Sequence, residues 1–132
     1  MTERQLISSG SPYEPVFGYS RAVRVGNHVY VSGTVAWGDG PTIVGEGDMY
    51  AQTKQAISNI EKALQQAGAS LADVVRTRTF ITDMSRFDDV ARAHGEAFSE
   101  IRPAASALEV SSLVEPEMLV EIEADAVITA PN

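Results

Sequence analysis

Glu121, Glu123 and Asp125 alternate with Val120, Ile122, Ala124 and Ala126, and a period of two residues is that of an extended strand. The apolar residues go to one side and the carboxylates to the other. Carboxylates in a same-side row repel one another unless water or arginine compensates them. Arg76 and Arg78 share a face of a second β-rich run, Val74 to Ile81. Pairing across a sheet, or across a subunit boundary, would satisfy both rows. The two histidines, His28 and His94, have no His-x-x-x-His spacing, and the chain has no cysteine. A tight transition-metal site, a thiol nucleophile, a disulfide and a thiol redox switch all lack their ligands, so no metal and no cofactor is expected.

His94 lies on an apolar stripe with Phe87, Val90, Ala97 and Phe98, which favours a hydrogen-bonded core imidazole over a catalytic one. His28 is expected to be exposed in a hairpin turn. Trp37, in the loop Val35 to Gly38, either lines a cleft or packs beneath its own loop, and cleft lining is the preferred reading. The glycines between Gly33 and Gly47 do not form a phosphate loop. No Lys-Ser/Thr follows them, and Asp48 at the start of the next helix would oppose an anion.

These residues need elements to position them. Leu6 and Ile7 predict a short first strand, followed by a loop at Ser8 to Pro12. Ala22 to Val25 and Val29 to Val31, separated at Gly26-Asn27, predict a hairpin, and Thr42 to Val44 a further brief strand among the glycines. Ala56, Ile57, Ile60, Ala63, Leu64 and Ala67 fall on one helical stripe, so a helix is expected from Met49 to Ala67, with Asp48 as N-cap and Gly68 beyond its end. A second helix follows the cap region Asp83 to Ser85, carries Phe87 to Ile101 and stops at Pro103. Ser106 to Val110 and Leu119 to Ile128 predict two last strands, linked by the polar turn Glu115 to Glu117. The sum is an α+β fold, with one mixed six-stranded sheet and two helices packed on one face. Its other face must be hidden elsewhere.

The 132 residues and 44% hydrophobic content fit one domain, residues 1–132, with one buried core. With 18 acidic against 10 basic residues the net charge is −8, which repels a polyanion and makes nucleic acid an unsuitable partner. The first fifteen residues lack a basic start and an apolar run, and no window approaches 18 apolar residues. A cytoplasmic protein with no membrane partner is the expectation.

Gly18 to Thr34 (GYSRAVRVGNHVYVSGT), Val74 to Asp83 (VVRTRTFITD) and Arg102 to Ala126 (RPAASALEVSSLVEPEMLVEIEADA) together resemble the reactive intermediate deaminase family, RidA/YjgF. The similarity runs in order through nearly the whole chain. It implies a chorismate-mutase-like fold and a homotrimer, a barrel-like core of three sheets with small-molecule clefts between subunits. It implies hydrolysis of reactive enamines and imines to a 2-keto acid and ammonia. An arginine in a Pro-Ala-Arg-Ser motif of the archetype clamps the substrate carboxylate. Here that motif reads Pro103, Ala104, Ala105, Ser106, and an asparagine of the archetype's second helix falls on Ala91. Tyr19, Ser32, Gly33 and Glu121 match the remaining pattern. The resemblance implies that Glu121 positions the attacking water, a general-base task suited to a partly buried carboxylate, and that Tyr19, Ser32, Ala105 and the backbone amides near Gly33 and Ala107 face substrate, with Trp37 added to the expected substrate contacts by its place in the glycine-bearing loop. A solvated or arginine-paired edge charge is the alternative for Glu121. Arg76, Arg78 and Arg102 are candidates to replace the missing guanidinium, with intersubunit ion pairs as their plainer use.

Two functions stay open. One is hydrolysis of an enamine, imine or related compound without the arginine clamp. The other is a non-catalytic metabolite-binding or interaction protein on the same trimeric scaffold. The family's older ribonuclease label fits poorly with the charge balance and the absence of a basic stripe.

Overall fold

The computed structural model describes residues 3–129. Six strands, β1 (Arg4–Ile7), β2 (Ala22–Val25), β3 (His28–Thr34), β4 (Val74–Ile81), β5 (Ala104–Glu109) and β6 (Val120–Val127), form one sheet in the order β1-β2-β3-β6-β4-β5. Only the β4–β5 pair is parallel; the other neighbours are antiparallel. The mixed six-stranded sheet of the sequence reading is therefore present. The helices are α1 (Tyr13–Phe17), α2 (Met49–Gln66) and α3 (Phe87–Phe98).

The hairpin turn at Gly26-Asn27 is the two-residue kind. Val25 pairs with His28, and Gly26 has φ of 60°, the positive value that a first central glycine supplies in a type II′ turn. The α2 helix starts where Asp48 accepts a hydrogen bond from the Ala51 amide at 3.0 Å. It ends in a Schellman arrangement, with the Ala69 amide donating to the Leu64 carbonyl, the Gly68 amide to that of Gln65, and Gly68 at φ of 86°. Before α3, Asp83 accepts from the Ser85 amide and a 3-10 turn at Met84–Arg86 leads in.

The two long helices cover one face of the sheet. Ile57, Ile60, Leu64, Val90 and Phe98 join Val29, Val31, Ile81, Val120, Ile122, Ala124 and Ala126 in one apolar core. Each such Leu, Ile or Phe contributes roughly 1.5–3 kcal/mol by leaving water. Gln52 is fully buried within α2 because its amide is fully used. Its Nε2 donates to the carbonyls of Gly45 (3.2 Å) and Glu117 (2.8 Å), and its Oε1 accepts from the Leu119 amide at 2.9 Å. The helix is thereby tied to both loops at one end of the sheet.

Four local expectations are corrected. Thr42 to Val44 forms no strand, because only a single bridge, Ile43 to Trp37, links that loop. No helix is expected between β1 and β2, but the one-and-a-half turns of α1 follow the Ser8 to Pro12 loop, closed by Gly18 at φ of 86° and tethered by Glu14, which accepts from the Ser9 hydroxyl at 2.6 Å. The α3 helix ends at Phe98, not beside Pro103. Arg102, at φ of 55°, folds back to donate its amide to the Phe98 carbonyl. β5 begins at Ala104 and pairs with β4, so β5 and β6 flank the same strand and are not neighbours.

The alternation of β6 holds throughout, with Val120, Ile122, Ala124 and Ala126 buried and the residues between them half-buried on the face without helices. Arg78 compensates two of its carboxylates, its Nη1 lying 3.5 Å from Glu123 and 3.3 Å from Asp125. Tyr30, Val75 and Leu108 are each about half exposed.

Candidate functional site

The candidate site is built on an irregularity of β3. Val31 faces Ala124 and Thr34 faces Ile122, so three steps on β3 match two on β6 and one extra residue is squeezed out as a bulge. Ser32 and Gly33 occupy it. The Ser32 amide donates to the Arg21 carbonyl at 3.0 Å and its hydroxyl to the Ser20 carbonyl at 2.7 Å, which fixes the bulge against the chain entering β2. The Glu121 carboxylate lies directly over Gly33. A Cβ at Gly33 would come within 2.7 Å of Glu121 Cδ, so this approach requires glycine by contact and not by φ.

Glu121 has an altered acidity for identifiable reasons. Burial pushes its carboxyl above the ordinary value, the Arg21 cation pulls it part of the way back, and the Glu123 charge adds to the rise. Such a carboxylate is a better proton acceptor than an exposed one. Arg21 is the residue the sequence reading missed. It is 7% exposed, its Nη2 donates to the Gly33 carbonyl at 2.9 Å, its guanidinium lies 5.5 Å from the centre of the Tyr19 ring, and its Nε has no partner. The only sequence signal was its place between Tyr19-Ser20 and an apolar strand, one residue out of phase with the buried Ala22. Tyr19 in turn packs edge-on against Phe17 at 5.9 Å.

Beside this group lies a cleft of about 550 Å³, bordered by Arg21, Thr34, Trp37, Tyr13 and Lys62 among others. Trp37 lines it, and the loop bearing Trp37 is pinned to α2 because Asn59 Nδ2 donates to the carbonyls of Val35 (3.0 Å) and Trp37 (2.9 Å). Tyr19, Ser32, Gly33 and Glu121 thus gather with Arg21 around the β3 bulge within a single chain, whereas Trp37 lines the neighbouring cleft, which of this group only Arg21 borders.

Ala105 and Ala107 do not join them. They lie on the edge strand β5, with β4 between it and β6. Ala105 pairs with Thr77 and Ala107 with Thr79, both buried on the helix-covered side, opposite to the face of Glu121. The side chain nearest this position in register is Thr77, whose hydroxyl is 2.9 Å from His94 Nε2. Burial lowers the pKa of the His94 imidazolium, which favours the neutral ring, and it packs on Phe98 at 4.7 Å. His94 is thus the hydrogen-bonded imidazole expected. Of the three arginines considered for the missing guanidinium's place, Arg78 is engaged with Glu123 and Asp125, while Arg76 and Arg102 are exposed. His28 is exposed and stacks on Tyr30.

Among the described residues no cluster of three or more His, Asp or Glu is placed to hold a metal ion, and no helix is long and apolar enough to cross a membrane. The profile of a family described as Endoribonuclease L-PSP matches residues 10–128. The crystal structure of Rv2704 from Mycobacterium tuberculosis, a member of the YjgF/YER057c/UK114 family, superposes with a TM-score of 0.87 at 52% identity, covering 96% of this chain and 100% of that one. The 3-aminoacrylate deaminase RutC of Acinetobacter baylyi is 34% identical over 92% of this chain and 95% of its own length. A 2-iminobutanoate/2-iminopropanoate deaminase of Dermatophagoides farinae is 31% identical over 93% and 100%.

Proposed function

Because the chain belongs to the Endoribonuclease L-PSP family, which is that of YjgF, RutC and RidA, we propose that it hydrolyses a small enamine, imine or related compound without an arginine clamp at position 105. The observation that carries this reading is the half-buried Glu121 carboxylate held over Gly33, with its acidity weakened by burial. In the proposed step Glu121 takes a proton from water as the water oxygen bonds to the imine carbon. That proton passes to the nitrogen to give a carbinolamine, whose hydroxyl proton then goes to the nitrogen as the C–N bond breaks, so that ammonia leaves and a carbonyl compound remains. Tyr19, Ser32, Gly33 and Trp37 form one wall. Ala105 and Ala107 belong to the opposite wall, contributed by a neighbouring protomer of a homotrimer whose sheets meet on the faces that the helices leave open. That assembly is supported by the half-exposed Tyr30, Val75 and Leu108 on the sheet.

Ala105 offers no charge to a substrate carboxylate. A charged hydrogen bond of that kind is worth about 1.5–3 kcal/mol, so carboxylate-bearing substrates should bind tens- to hundreds-fold more weakly than with arginine there. Ammonia release from a neutral and a carboxylate-bearing imine series tests this. Turnover of the neutral series is expected, with Ala105→Arg raising kcat/KM for the carboxylate series by a tens-fold factor or more. Wild-type protein that already handles carboxylates as well as that variant sinks the clamp-free reading.

Binding without turnover is the second reading, favoured by the two alanines, Ala91 and Ala105, where the archetype carries polar groups. Glu121→Gln separates the two: retained binding with lost turnover marks an enzyme, and binding with no turnover in either protein marks a carrier. The net charge of −8 speaks against the ribonuclease activity in the family's description.

A further inference from the structure

Arg21 has a place in the site that neither the match to the family pattern nor the sequence reading assigned. Burying a guanidinium to 7% exposure is costly unless its surroundings make use of the charge. Only one of its nitrogens has a hydrogen-bonded partner that is part of the bulge, the Gly33 carbonyl at 2.9 Å, while Nε is enclosed and has none. The Tyr19 ring covers it at 5.5 Å. The Glu121 carboxylate packs against the same glycine. Arg21 and Glu121 nevertheless form no direct ion pair. A closed salt bridge would occupy the carboxylate's lone pairs and suppress its basicity. A cation kept one residue away stabilises the anion and leaves those lone pairs free for water.

We propose that Arg21 is a positioning residue for Glu121, fixing through its fork the Gly33 bulge on which the carboxylate rests and placing a buried cation beside that bulge. This rests on the general-base reading of Glu121. The charged groups facing Glu121 are few. Glu123 on its own strand opposes ionisation, and Arg78 of β4 is taken up by Glu123 and Asp125. β4 places Phe80 opposite it, β3 offers only the uncharged Ser32 and Gly33 there, and Arg21 remains as the cation acting on it.

The test measures Glu121 directly, by titrating its side-chain carboxyl in carbon-13-labelled protein, alongside the pH profile of kcat/KM. In Arg21→Gln, or in Arg21→Met should the first not fold, the Glu121 midpoint and the acid limb are expected to move together to higher pH. Activity should then fall at all pH values because the fork on the Gly33 carbonyl is lost, and about tenfold further near the limb. Arg21→Lys retains the charge but not the planar fork. It should keep the wild-type midpoint while losing kcat at all pH values. An unshifted midpoint in the neutral variants, or a raised one in Arg21→Lys, overturns the proposal. A shifted midpoint in a protein with no turnover at any pH upholds the electrostatic role of Arg21 and instead removes the hydrolytic reading.

Discussion

Glu121 combines a weakened acidity with a fixed position, and both follow from the same half-buried place over Gly33. The sign of its effect on stability is opposite to that of a carboxylate held low by a salt bridge. With the folded-state pKa raised, its contribution is fully present below the unfolded-state pKa and is lost as pH rises through the folded one. Glu121→Gln should therefore have a higher Tm than the wild type at neutral pH, with the difference vanishing in acid. Thermal unfolding at several pH values checks this, and a variant less stable at neutral pH would mean that the carboxylate is a structural partner. The match of Glu121 to an acidic family position was readable from the chain, as was the alternation that sends it away from the core. Arg21 was not, because a lone arginine before a strand gives no pattern, and its burial depends on Tyr19 and a β3 bulge that periodicity does not reveal.

At the scale of elements, α2 holds the site by its polar residues as much as by its stripe. Asn59 pins the Trp37 loop, and Gln52 pins the loops at Gly45 and Glu117. Gln52 stands four residues before Ala56, in phase with the apolar stripe, and an apolar count passes over it. Gln52→Leu should cost about 2–4 kcal/mol, since it leaves the Leu119 amide and the Glu117 carbonyl without their partner, while the Gly45 carbonyl keeps the Asp48 amide. Denaturant unfolding measures this, and a neutral result would show that water replaces the side chain. The helix ends were legible at Asp48 and Gly68, where one side-chain cap and one left-handed residue dominate locally. The end of α3 was not, because Ser99 to Ile101 carry no breaker and the chain leaves the helix through the left-handed Arg102.

For the whole molecule, the sheet has one face covered by helices and the other bearing Tyr30, Arg78, Leu108, Glu121 and Glu123. If that face closes a trimer, native mass spectrometry should give three times the 14.1 kDa chain mass. Leu108→Asp should then yield monomer and abolish turnover together, because Ala105 and Glu121 face opposite ways within one chain. A monomeric variant with full activity would place the site inside a single subunit. Periods of two and 3.6 residues, caps and turn glycines decided the element types and the buried side of each, since these depend on neighbours a few residues apart. Strand order, the bulge at Gly33, the insertion of β6 between β3 and β4, and the meeting of Arg21 with Glu121 depend on residues up to a hundred positions apart. Only packing of the complete chain selects among such pairings.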